Sequence, residues 1–156
     1  MKIPKAEALI VVDVQPNFPA AETVIAAVQT QVRKAMREGL HIVFLEYEGD
    51  WYSPTFSEIT DLAEKYEYKQ VVYKTWDDGS EEVADALWGE WGLRAGTPLR
   101  VCGVNTGACV ADTAQGLAKK GFDVTVIQKA CGDGDGYHDS QIELWHENPH
   151  LNVKVA

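Results

Sequence analysis

The chain has 156 residues, 46% of them hydrophobic and 24% charged, and a formal net charge of −10. The apolar content excludes wholesale disorder and the length suits one core rather than two. The acidity, with no basic stripe to offset it, argues against nucleic-acid and anionic-membrane partners. We therefore expect a single domain over residues 1–156 whose partner is a small-molecule substrate.

The first apolar run, residues 8–12, is stopped by Asp13 and is too short for a signal-peptide core, and no later run reaches membrane-span length. A cytoplasmic location is the expectation. Cys102, Cys109 and Cys131 contain no CxxC pair, which speaks against a disulfide framework or a zinc knuckle and suits a free thiol in a reducing compartment.

Taken in chain order, residues 8–12 form a continuous β-branched run expected of a strand covered on both faces. Pro16 and Pro19 then impose a loop. Val24, Ala27, Val28, Val32, Ala35 and Met36 recur at helical spacing, with Arg33, Lys34 and Arg37 late in the run and Gly39 as terminator. Residues 41–45 read as the second strand. Thr55 and Glu58 have the spacing of a capping box for a short helix with Phe56, Ile59, Leu62, Ala63 and Tyr66 on its apolar face. Residues 70–73 form the third strand, followed directly by Lys74. Ser80 is a candidate cap for a helix carrying Val83, Ala84, Leu87, Trp88 and Trp91. Residues 99–102 form the fourth strand. A small-residue helix through Ala111, Ala114, Leu117 and Ala118 stops at Lys119, Lys120 and Gly121. Residues 123–127 give a fifth strand, 139–146 a short helix and 151–155 a sixth strand.

Strands alternating with helices predict a three-layer α/β/α fold with a mostly parallel sheet. Strand order 3-2-1-4-5-6 fits this reading, although periodicity does not establish it. Asp13 ends strand one, Lys74 ends strand three and Cys109 follows strand four, so all three reach one crevice at the switch point of such a sheet. Singly, Asp13 fits a turn cap, Lys74 a surface lysine, and Cys102 and Cys131 small buried hydrophobes. Together Asp13, Lys74 and Cys109 can supply a proton acceptor, a cation and a nucleophile, with the ammonium and the first-turn amides expected to favour a thiolate.

The stretches 8–18, Tyr73-Lys74 and 101–114, with Cys109 in Gly103-Val104-Asn105-Thr106-Gly107-Ala108-Cys109-Val110, resemble the isochorismatase-like cysteine hydrolases, which include nicotinamidases and related amidases. The resemblance implies a catalytic triad of Asp13, Lys74 and Cys109, a non-proline cis peptide near Val104-Asn105, and an oxyanion hole formed by the amides of Asn105 and Cys109. It also implies a homodimer or other homo-oligomer, and hydrolysis of a small amide C–N bond through a thioester.

Many relatives that act on nicotinamide carry an Asp/His metal cluster after strand two. Here residues 46–54 hold only acids and aromatics, and no histidine lies between His41 and His138, so neither a metal nor a cofactor is expected. The chain is short for the family, which implies trimmed loops and a more open pocket. Gly107 stands where an acidic residue is common and is expected to loosen that turn or to alter a substrate contact. Phe18, Trp51 and Trp76 are the substrate-pocket candidates. Trp88 and Trp91 read as packing residues, His138, His146 and His150 as solvent-facing or helix-terminal, and residues 132–136 as a flexible turn. Isochorismatase-type hydrolysis, or a binding or scaffold protein that keeps these residues without useful turnover, are the alternatives. A receiver-like phosphoacceptor would need an aspartate where Tyr73-Lys74 stands, and neither a GxGxxG nor a P-loop supports nucleotide binding.

Overall fold

The computed structural model describes residues 4–50 and 52–156. Trp51 lies outside the described residues. Six strands, β1 (Ala8–Val12), β2 (His41–Tyr47), β3 (Lys69–Lys74), β4 (Pro98–Val104), β5 (Asp123–Gly132) and β6 (Val153–Val155), form one sheet in the order β3-β2-β1-β4-β5-β6. Every neighbouring pair is parallel, as the alternating sequence pattern predicts.

The chain steps from β1 to β2 to β3 through α1 (Ala21–Glu38) and α2 (Ser57–Thr60), then returns across the sheet through α3 (Ser80–Trp91) to β4. Right-handed crossovers put helices on one face for the first direction of travel and on the other for the second. Accordingly α1 packs with α2 against β1, β2, β4 and β5, whereas α3 packs with α4 (Ala111–Lys119) and α5 (His138–Glu147) docks on β5 and β6. Strand β1, sandwiched between the layers, has all five side chains buried, which is why its sequence is apolar without alternation. Burying a Val, Leu or Ile side chain contributes about 1.5–3 kcal/mol, so this strand and the Val24, Val28, Val32, Ala35 stripe of α1 anchor the core. Helix α1 ends as its sequence requires: Gly39 takes the left-handed conformation at φ 74° and donates to the carbonyls of Ala35 and Met36.

Three local expectations are corrected. Thr55 does not cap α2; its hydroxyl and amide both donate to Glu46 Oε2 at 2.7 Å, because a buried carboxylate at the end of β2 needs donors more than the short helix needs a cap. Ser80 is the first residue of α3 rather than its cap, and its amide donates to Asp78 Oδ1 at 2.8 Å. Strand β5 runs on to Gly132, five residues beyond the apolar run, after a register shift that sets Cys131 opposite Gly103.

Gly103 marks where β4 approaches β1 most closely. It has φ 125°, and a Cβ there would sit 2.0 Å from the Val12 carbonyl oxygen, so no side chain fits. This contact holds the Cys109 loop, which follows at once, against the end of β1.

Candidate active site

The three candidate residues stand at the carboxyl ends of β1, β3 and β4, where parallel strands open toward solvent. Asp13 has φ 52°, a left-handed conformation that aspartate tolerates better than most side chains. Its amide donates to the Leu45 carbonyl at 2.9 Å and its carbonyl accepts from Gln15 at 2.8 Å, which fixes the turn. Buried Gln15 then ties that turn to β2, donating to the carbonyls of Tyr47 and Ser53 and accepting from the Tyr47 amide.

Lys74 Nζ lies 2.9 Å from Asp13 Oδ2, and the side chains are only 0% and 1% exposed. The ammonium also donates to the Trp76 carbonyl at 2.9 Å and sits 5.3 Å above the centre of the Tyr47 ring. A buried lysine is tolerated here because a carboxylate, a carbonyl and an aromatic face replace its water.

Cys109 sits in a turn of π-helix, Thr106–Val110, that leads into α4. The Val104–Asn105 peptide preceding this turn is cis. The carbonyl of Asn105 accepts from the amides of Ala108 and Val110, both at 3.1 Å, and the Cys109 amide lies between them. The Cys109 thiol donates to Asp77 Oδ1 at 3.7 Å. Asp13 Oδ1, the oxygen not taken by Lys74, has no hydrogen-bond partner, and the Asp13 charge is felt by the nearby Cys109 thiol.

Burial pushes the Cys109 thiol well up, and the negative charges of Asp13 and Asp77 add to the effect; Lys74 opposes them. Desolvation and two carboxylates thus outweigh the thiolate-favouring influence expected of one ammonium, which is already engaged by Asp13. Burial likewise raises the Asp13 carboxyl, against Lys74 and the thiol, which lower it. Cys102 and Cys131 are both buried, and burial pushes Cys131 up to about 12, as suits structural thiols.

The Cys109 turn is fastened from the segment after β5. Gly107 N–H donates to Asp133 Oδ2 at 2.7 Å, Gly134 N–H donates to Asn105 Oδ1 at 2.9 Å, and Thr106 Oγ1 meets His138 Nδ1 at 2.8 Å. A Cβ at Gly107 would lie 2.8 Å from Tyr137 Cβ and 3.1 Å from Asp133 Oδ2. The missing acidic side chain thus does not loosen the turn, since a carboxylate from β5's loop holds it. Residues 132–136 are correspondingly a bonded clamp rather than a free turn, and His138 joins α5 to the loop rather than facing solvent alone.

Of the pocket candidates, Phe18 packs edge-on against Tyr47 at 6.0 Å, behind Lys74. Trp76 gives only its backbone to the site; its side chain is 78% exposed and lines an open groove with Asp78, Ser80 and Lys119. The ring turns outward because the Lys74 ammonium occupies the inner side of that loop. Glu46, in the region where relatives carry metal ligands, spends its oxygens on Tyr52 and Thr55. Among the described residues no group of three His, Cys, Asp or Glu side chains is placed to hold a metal ion. No described helix is long and apolar enough to cross a membrane.

The family model described as the isochorismatase domain matches residues 7–147. The chain belongs to this family. Among curated proteins, streptothricin hydrolase of Streptomyces noursei is 33% identical over 138 residues, covering 80% of this chain and 53% of its own length. The chain thus spans about half the length of that relative. Among solved structures, the Staphylococcus aureus nicotinamidase superposes with a TM-score of 0.79 at 20% identity over 97% of each chain. The pyrazinamidase of Pyrococcus horikoshii, solved in complex with zinc, gives 0.73 at 22% identity, over 97% of this chain and 99% of its own. Isochorismatase-family membership agrees with the sheet order.

Proposed function

We propose that the protein is a cysteine-dependent amidohydrolase acting on a small-molecule amide, with Asp13, Lys74 and Cys109 as its catalytic residues. The observation that carries this reading is the buried Asp13–Lys74 pair at 2.9 Å, whose remaining carboxylate oxygen is left for the Cys109 thiol. Family membership supports hydrolysis of this kind, and the relatives named as nicotinamidase, pyrazinamidase and streptothricin hydrolase agree with it.

In the proposed cycle Asp13 takes the thiol proton as Cys109 Sγ bonds to the substrate carbonyl carbon. The amides of Asn105 and Cys109 hold the resulting oxyanion. Asp13 passes the proton to the departing nitrogen, the C–N bond breaks, and a thioester remains on Cys109. Water, giving its proton to Asp13, attacks the thioester carbon. The C–S bond then breaks and the thiol is re-formed with that proton. Lys74 stays cationic throughout and holds the carboxylate in place. Because the resting sulfur is protonated, the base is essential at the first step.

The test is a panel of small amides scored by release of ammonia or amine, together with mass spectrometry for an acyl adduct on Cys109. Turnover that survives a chelator unchanged is the expected result; loss of activity with the chelator would contradict the metal-free reading.

The pH profile gives a separate expectation. Burial raises Asp13, so kcat/KM falls with decreasing pH through a pKa above the ordinary aspartate value of about 3.9. Asp77 is one of the charges that raises it. Asp77→Asn is therefore expected to move the acid limb to lower pH, whereas a limb that stays in place would mean that another group titrates there.

A further inference from the structure

We infer that the site takes amides bearing a cationic group, an ammonium or a guanidinium, and that Asp77 is the carboxylate that receives it. This rests on the amidohydrolase reading above and adds the substrate class. Asp77 Oδ1 is the acceptor of the thiol hydrogen bond at 3.7 Å, yet its side chain is exposed, so it stands at the mouth of the site with one edge on the nucleophile. Its loop is held there: the Thr113 hydroxyl of α4 donates to the Asp77 carbonyl at 3.4 Å and accepts from Gly79 N–H at 3.0 Å.

Among the described residues no lysine, arginine or histidine forms an ion pair with Asp77. Lys74, the cation of the site, is engaged by Asp13 and the Trp76 carbonyl. Asp112, in the first turn of α4, is also exposed and feels the charges of Asp77 and Asp78. Burial, then the charges of Asp77 and Asp78, raise the Asp112 carboxyl against Lys74, so these carboxylates lie near one another. Asp13 Oδ1, fully buried and without a hydrogen-bond partner, belongs to the same site and adds its negative charge beside the thiol.

A neutral amide seated on Cys109 has only its own N–H to offer Asp77, whereas a cation adds an ion pair. The net charge of −10 further favours the approach of cations.

The experiment compares 6-aminohexanamide with heptanamide, which differ only in a terminal ammonium against a methyl group. It measures kcat/KM with the native chain and, by calorimetry, binding to Cys109→Ala, both at low salt. The expected result is a preference for the cationic amide of about tenfold in each measurement, falling to near unity when Asp77→Asn is added. Using the ratio removes the effect of Asp77 on the Asp13 and Cys109 protons, which both amides share. A ratio near one in the native chain, no binding of the cationic amide to Cys109→Ala, or a preference that survives Asp77→Asn each overturns the inference. A binding preference lost with Asp77 but unaccompanied by turnover would uphold cation recognition while sinking the amidohydrolase reading. Turnover of both amides at equal efficiency would do the reverse.

Discussion

Cys109→Ala is expected to lower turnover of the best amide in the panel by about 10⁴-fold or more, with the fold retained. The side chain is 6% exposed and contributes little packing beyond one sulfur atom, so the melting temperature should move by only a few degrees. Asp13→Asn should reach a comparable loss in kcat, since an amide side chain cannot accept the thiol proton. The double variant should be no worse than the weaker single, because base and nucleophile act as a unit. Kinetics on the three variants, with circular dichroism as the control for folding, check this. Activity in Cys109→Ala within tenfold of the native chain would remove the thiol from the reaction and leave the protein as a binding member of its family.

Lys74→Met is expected to cost about 3–5 kcal/mol of stability, because it keeps the stem volume and deletes the counter-charge of a fully buried carboxylate. For a chain of this size that corresponds to a fall in melting temperature of about 6–20 °C. The cost should depend on pH with a definite sign. Asp13 is already raised by burial, and loss of Lys74, the largest influence lowering it, raises it further. The folded variant then binds more protons than the unfolded chain between the two pKa values, so its stability falls as pH rises through the folded pKa. Thermal melts of the variant and the native chain at pH 5 and pH 8 test this, with the larger gap expected at pH 8. Adding Asp13→Asn to Lys74→Met should restore much of the stability and none of the activity, which separates the structural role of the pair from its catalytic one.

The pattern of strands and helices was legible because local periodicity carries it. The run at residues 8–12 could only be a doubly covered strand, and the spacing of Val24, Val28, Val32 and Ala35 could only be one buried helix face. The errors fell where a side chain had two bidders. Thr55 has the spacing of a helix cap but lies nearer a buried Glu46, and a carboxylate without donors costs more than an uncapped four-residue helix. The end of β5 was missed because its last residues, from Gln128 onward, are polar and small, and pairing with β4 rather than hydrophobicity extends the strand.

Of the site, Asp13, Lys74 and Cys109 were visible as chemically able residues at the ends of β1, β3 and β4, and their approach followed from the parallel sheet. Asp77 had one available signal, its place three residues after Lys74 in the same strand-end loop. Asp133 and His138 had none, since their hydrogen bonds to Gly107 and Thr106 cross from another strand and helix.

The sequence by itself determined the element order, the alternation that makes the sheet parallel, and the identity of the acid, the cation and the thiol, because each is a property of a few adjacent residues. Only the tertiary structure decided that burial and the charges of Asp13 and Asp77 push the thiol up, and that Asp133 holds the Gly107 amide. Those outcomes depend on burial and on charges brought together from distant parts of the chain. Both fall off over a few ångström, a scale that distance along the sequence does not measure.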